Sequence, residues 1–190
     1  MTRLLTAICL SAALAAGAAF AEDSPFCGKS DPASWNEVRE SFLGVWQMSH
    51  LAGYVSVAGM TMPFPATNEI ETVSIALFGD ELVAVHPEGD EPMLLTLADE
   101  PRWVVDASSS DVPELPVSPD DAAFIYGCDQ MEMPRVIGTA NIVIDGMTMD
   151  FTYRMMVLSL DRMYGIMQVT GTVNGQPYVA RRSVWMERTG

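Results

Sequence analysis

The chain has 190 residues and carries 25 acidic against 10 basic side chains, a formal net charge of −15. That balance argues against nucleic acid and anionic membrane surfaces as partners, since both repel an acidic protein. Almost half of the residues are hydrophobic (49%), enough at this length for one domain with a substantial core.

The first 21 residues read as a secretory signal peptide. Arg3 is its positive end, Leu4 to Ala16 its short apolar run, and Ala19-Phe20-Ala21 its small-x-small cleavage site, followed by Glu22-Asp23-Ser24. Cys9 lies inside the apolar run and Glu22 follows the cleavage site, so no lipid anchor is expected. This predicts a soluble protein exported to a Gram-negative periplasm, with 22–190 as a single β-barrel domain. Cys27 and Cys128 remain after processing, with no Cys-x-x-Cys. In an oxidising compartment they are expected to form one structural disulfide. Closing a loop of about 100 residues, it would contribute roughly 4–5 kcal/mol in the chain-entropy model.

Asp31-Pro32 has the form of an N-cap followed by Pro at the first helical position, opening a short helix through Trp35, Val38 and Phe42. Strand patterns follow at 43–50, 53–62, 69–78, 81–86, 92–97, 102–106, 122–126, 134–144, 147–159, 163–173 and 177–187. Gly79-Asp80, Asp145-Gly146 and Asn174-Gly175 are hairpin signals. Residues 107–120, with Ser108-Ser109-Ser110 followed by Pro113, Pro116 and Pro119, read as a long surface loop that could serve as a lid. The alternation is clearest at 147–159. Met147, Met149, Phe151, Tyr153, Met155 and Val157 share one face, and Thr148, Asp150, Thr152 and Arg154 the other. Long antiparallel strands joined by tight turns predict an all-β fold, an up-and-down barrel that closes its own edges.

Gly44-Val45-Trp46, placed after a short helix at the start of the first strand, resembles the Gly-x-Trp signature of lipocalin-like (calycin) barrels. The resemblance implies that Trp46 covers a closed barrel end and that a basic residue of the last strand packs over it: Arg181, Arg182 or Arg188. It also implies a small apolar or amphiphilic ligand inside the barrel, lined by Trp46, Phe151, Tyr153 and Met155. Arg182 alternates with Tyr178, Ala180, Val184 and Met186. If that face is the lumen, its charge needs an internal partner or an anionic headgroup.

A hexapeptide occurs twice, Gly59-Met60-Thr61-Met62-Pro63-Phe64 and Gly146-Met147-Thr148-Met149-Asp150-Phe151. Each Met-Thr-Met sends two thioethers to one strand face, and paired thioethers suit Cu(I). Both copies resemble the metal-binding strand of periplasmic copper/silver-efflux metallochaperones. The resemblance implies Cu(I) or Ag(I) on Met60 and Met62 or on Met147 and Met149. Plastic core filling is the competing and better reading, because the 13 methionines that remain after Met1 are spread over many strands. Counting strands up and down brings both repeats to the Gly-x-Trp end. A turn at 51–53 would keep Met48 and His50 away from Met60.

Neither histidine belongs to a zinc motif, and His86, before Pro87, is expected to be exposed. No nucleophile elbow, phosphate loop or dinucleotide turn is present. The acidic clusters at 80–81, 88–91 and 120–121 lack EF-hand spacing and read as solvated turns. The expected function is therefore non-enzymatic ligand binding without a cofactor. The alternatives are Cu(I)/Ag(I) binding and a structural or envelope-interaction role.

Overall fold

A computed structural model describes residues 26–86, 92–99, 119–144 and 146–189. The chain opens with α1 (Pro32–Val38), which continues as a 3-10 turn (Arg39–Phe42). Asp31 caps α1 as expected, its Oδ1 accepting from the N–H groups of Ala33 and Ser34. Nine strands follow among the described residues: β1 (Gly44–Val57), β2 (Met60–Phe64), β3 (Ile70–Phe78), β4 (Glu81–Val85), β5 (Met93–Leu97), β6 (Arg135–Ile144), β7 (Met147–Ser159), β8 (Arg162–Val173) and β9 (Gln176–Arg188), with α2 (Pro119–Ile125) between β5 and β6. All pairings are antiparallel and follow chain order from β3 to β9. β1 pairs with β3 on one edge and β9 on the other, which closes an eight-stranded barrel.

β2 is a ninth, short strand that takes the place of β3 in that ring beyond the end of β3. It pairs with Gly53–Val57 of β1, on the edge where β3 pairs with Gly44–Ser49. β2 and β3 thus follow β1 one after the other, interrupted at 65–69. The β1–β9 ladder also slips there, between His50 and Gly53. The irregularity restores the pattern beyond it. Trp46, Met48 and His50 face inward before the slip; Val55 and Val57 pair with Ala180 and Tyr178, whose face is also inward.

The structure corrects the predicted turn at 51–53. β1 runs through it, and the chain reverses at Ala58-Gly59, both in the left-handed region (φ 51° and 77°). Gly53 signals close approach instead, because a Cβ there would collide with the Arg181 carbonyl and Arg182 Cα of β9. A second correction concerns 122–126, which forms the end of α2 and the turn after it and not a strand. Pro119 opens that helix and Asp120 and Asp121 occupy its first turn, both favourable at a helix N-terminus. The expected strand at 102–106 and most of the expected 107–120 loop lie outside the described residues; Pro119 and Asp120 belong to α2.

The core lies inside the barrel, with a second cluster on its outer wall. There Cys128 and Met133 pack on Met156, Leu158 and Tyr164. A Cys27–Cys128 disulfide ties this covering segment to the N-terminal arm across 101 residues of sequence.

Candidate functional site

One barrel end is plugged. Phe42 stacks between Trp35 (5.5 Å) and Trp46 (6.4 Å), and Phe26 lies 5.1 Å from Phe42. Trp46 is fully buried, and its Nε1 donates to the Phe42 carbonyl at 2.9 Å. Of the three arginines considered for this end, Arg188 occupies it. It pairs with Trp46 across β1–β9 and donates from Nη1 to Ser41 O (2.8 Å) and from Nη2 to Leu43 O (2.6 Å). Around this plug the inward side chains of Met48, Ile75, Val157, Met163, Val184 and Met186 are all buried. Trp46 therefore forms the floor of the barrel.

Toward the other end the lining loosens. Val55, Phe151, Tyr153, Val173 and Tyr178 are only partly buried, although they continue the same inward faces. Phe151 and Tyr153 stack at 6.5 Å. Met155 is buried and pairs with Gly165, on the rung of Val184 and His50. The sequence-derived lining thus divides. Trp46 and Met155 belong to the solid half, whereas Phe151 and Tyr153 belong to the open half.

Arg182 does face inward, and most of its guanidinium is committed to backbone. Nε donates to Leu51 O (3.0 Å), and Nη2 to His50 O (3.1 Å) and Pro65 O (3.3 Å), while the group sits 4.5 Å over the Phe64 ring. It fills the break where β2 leaves β1 and satisfies carbonyls that the slipped ladder leaves without strand partners. Thr67 N–H bridges the same break to His50 O at 3.1 Å. Arg182 Nη1 makes no hydrogen bond among the described residues.

Beside Arg182 lie residues that motif reasoning passed over. His50 Nε2 is 2.8 Å from Glu71 Oε1, a close contact whose N–H is poorly aligned with the oxygen; His50 Nδ1 is buried without a partner. His86 Nε2 lies 3.9 Å from Glu71 Oε2, so the residue expected to stand free in solvent is only half-exposed and approaches a carboxylate. The His50 contact holds the Glu71 carboxyl below its ordinary range. Burial pushes the Tyr153 phenol upward and favours its neutral form, and its hydroxyl has no hydrogen-bond partner among the described residues. Burial also pulls the Arg182 guanidinium downward. One signal was available in sequence: Glu71 heads the alternation Val73, Ile75, Leu77, a charge on an otherwise apolar inward face.

The two methionine repeats reach the same barrel end, but it is the end opposite Trp46. That follows from β1 continuing through 51–53. Met60 and Met62 pair with Val57 and Val55, facing the mouth, 61% and 47% exposed. Met149 is buried in the core, where its sulfur occupies the space above Gly171, and Met147 is partly buried. From Met60 the ladder runs through Val57, Tyr178 and Gly171 to Met149, four strand steps around an eight-stranded ring. The copies stand on opposite walls and are not brought together as one four-sulfur set. No group of three or more His, Cys, Asp or Glu side chains arranged for a metal ion occurs among the described residues.

Fold and site define a closed antiparallel barrel with one plugged end, one loosely lined end and a polar cluster between them. No family model, curated protein or solved structure matches the chain.

Proposed function

We propose that this is an exported, non-enzymatic, lipocalin-like binding protein of the periplasm that holds a small apolar or amphiphilic ligand in the open half of its barrel. One observation carries the reading. The inward faces change from fully buried around Trp46 to partly buried at Phe151, Tyr153 and Tyr178. A solid barrel has no reason to leave large aromatic side chains half-covered on its inner wall, whereas a cup with a ligand seat does. The unspent donors of Arg182 and Tyr153 lie where a polar end of such a ligand would stop. Export is supported by the leader pattern of residues 1–21 and by the disulfide.

Native mass spectrometry of protein purified from its own cell envelope tests this. The expected result is a bound mass of a few hundred daltons, released by organic extraction and restored by adding a long-chain alcohol. An unliganded mass that no long-chain alcohol or acid changes would contradict it.

A second reading, Cu(I)/Ag(I) binding, is favoured by one observation: the Met60 and Met62 thioethers are exposed on one face of β2. An anaerobic Cu(I) titration of wild type and of Met60→Leu/Met62→Leu decides it. Loss of tight Cu(I) binding in the variant supports the soft-metal site, and equal titrations dismiss it.

A further inference from the structure

Two kinds of glycine occur on the inward faces of the described strands. At Gly53 and Gly165 an added Cβ would strike the backbone of the neighbouring strand, so these positions let two strands approach. At Gly138 and Gly171 the nearest atoms are instead the ends of flexible side chains. They are Met93 Sδ (2.8 Å) and Leu95 Cδ2 (2.9 Å) for Gly138, and the Met149 sulfur for Gly171, with the Thr148 carbonyl oxygen next at 3.1 Å. Gly171 does not have a positive φ, so no turn or strained backbone requires glycine there. What its missing side chain provides is space for Met149.

Met149 stands opposite Gly171 across β7–β8 and opposite Ile142 across β6–β7, with Met147 and Phe151 two residues away on its own inward face. Those last three neighbours carry large side chains, and Gly171 carries none. Met149 therefore lies sideways over β8, in a niche bounded by Val169 and Val173 along that strand and by Tyr178 on β9. Its sulfur is held against the wall of the barrel, and the residue is buried although it stands near the mouth. An unbranched side chain with three rotatable bonds can make this bend. One rung deeper, Phe151 pairs with Ala140 on one side and with Val169 on the other, and Val169 pairs with Ala180. The two alanines leave the inner wall recessed on both flanks of Phe151.

We propose that Met149 and Gly171 set the width of the ligand seat, and that the guest is an amphiphile with a ring-bearing apolar body. This deepens the ligand-binding reading above and rests on it. While residue 171 is glycine, Met149 rests against β8 and a broad guest fits beside Phe151. A side chain at 171 fills the niche. Ile142, Met147 and Phe151 then block the other directions along the wall, and Met149 turns toward the barrel axis. There it competes with a broad guest far more than with a straight chain, which can pass beside it.

Isothermal titration with two alcohols of equal carbon number, dodecanol and cyclododecanol, tests it. Wild type is expected to bind the two within about tenfold of each other. Gly171→Ala weakens cyclododecanol by about tenfold or more, the scale of a single-methylene misfit in an apolar pocket, and dodecanol by less than about threefold. In a Met149→Ala background the same glycine change alters neither alcohol by more than about threefold, because the side chain it displaces is gone. That second pair also covers a Gly171→Ala chain that fails to fold, since Met149→Ala removes the collision with the sulfur. Wild type that holds dodecanol but takes cyclododecanol more than about tenfold more weakly overturns the ring-bearing guest. Unchanged cyclododecanol binding in Gly171→Ala, equal losses of both alcohols, or a tenfold loss that persists without Met149 overturns the width role. Each of these leaves barrel binding of dodecanol standing. Failure of both alcohols to bind wild type overturns the barrel reading and the width assignment together.

Discussion

Arg182 shows how one side chain serves two ends. It donates to three backbone carbonyls, those of His50, Leu51 and Pro65. Arg182→Met removes these donors in a region shielded from water, and the expected loss is about 3 kcal/mol in urea unfolding. Arg182→Lys recovers only part, since one ammonium cannot reproduce the fork. Glu71 gives a pH signature. Its folded-state carboxyl titrates lower than in the unfolded chain, so its contribution is complete above the ordinary glutamate range and is lost as pH falls through the folded value. Glu71→Gln should therefore lower stability near neutrality, by at most about 1 kcal/mol because Glu71 is partly exposed, and the gap to wild type should close in acid. Chemical denaturation across pH checks this; a gap that widens in acid contradicts the pairing. The sequence made Arg182 visible as a charge on an apolar face. It did not show that backbone would satisfy most of it, because the ladder slip that frees those carbonyls leaves no local pattern.

Among the elements, β1 separates what patterning reveals from what it cannot. The alternation of Trp46, Met48 and His50 was legible, and so was the one-sided β7. Ala52-Gly53 looked like a turn because glycine marks both turns and places where backbones nearly touch, and sequence alone does not distinguish them. Gly53→Ala should prevent folding or cost several kcal/mol, about what a forced clash with a neighbouring backbone produces, and thermal melts will show it. The true reversal at Ala58-Gly59 was missed because its first residue is alanine, a poor resident of the left-handed region. Ala58→Asn should accordingly raise stability by about 0.5–1 kcal/mol, and an unchanged or lowered melting temperature would count against this turn. α2 was misread for a related reason: a five-residue apolar run carries no usable period, and Pro-Asp-Asp before it was the better signal. The misread turn at 51–53 is what placed the methionine repeats at the Trp46 end, since β1 running on to Val57 carries Met60 and Met62 to the other end.

Across the whole molecule, stability and opening are placed at opposite ends. The aromatic plug, Arg188 and the disulfide-tied covering segment secure the floor and outer wall. Reducing Cys27–Cys128 should cost roughly 4–5 kcal/mol by loop-closure entropy, read as a lower urea midpoint, with the barrel's strand content kept below that midpoint. The other end carries the half-covered aromatics, the exposed Met60 and Met62, and the histidine–glutamate cluster beneath them. Methionine methyl groups report on both regions at once. Titrating dodecanol into protein with labelled methionine methyls should shift Met62 and Met149 near the mouth while Met48, Met163 and Met186 around Trp46 stay still. Resonances that remain fixed throughout at saturating alcohol, or that move only around Trp46, would contradict a ligand seat in the open half of the barrel.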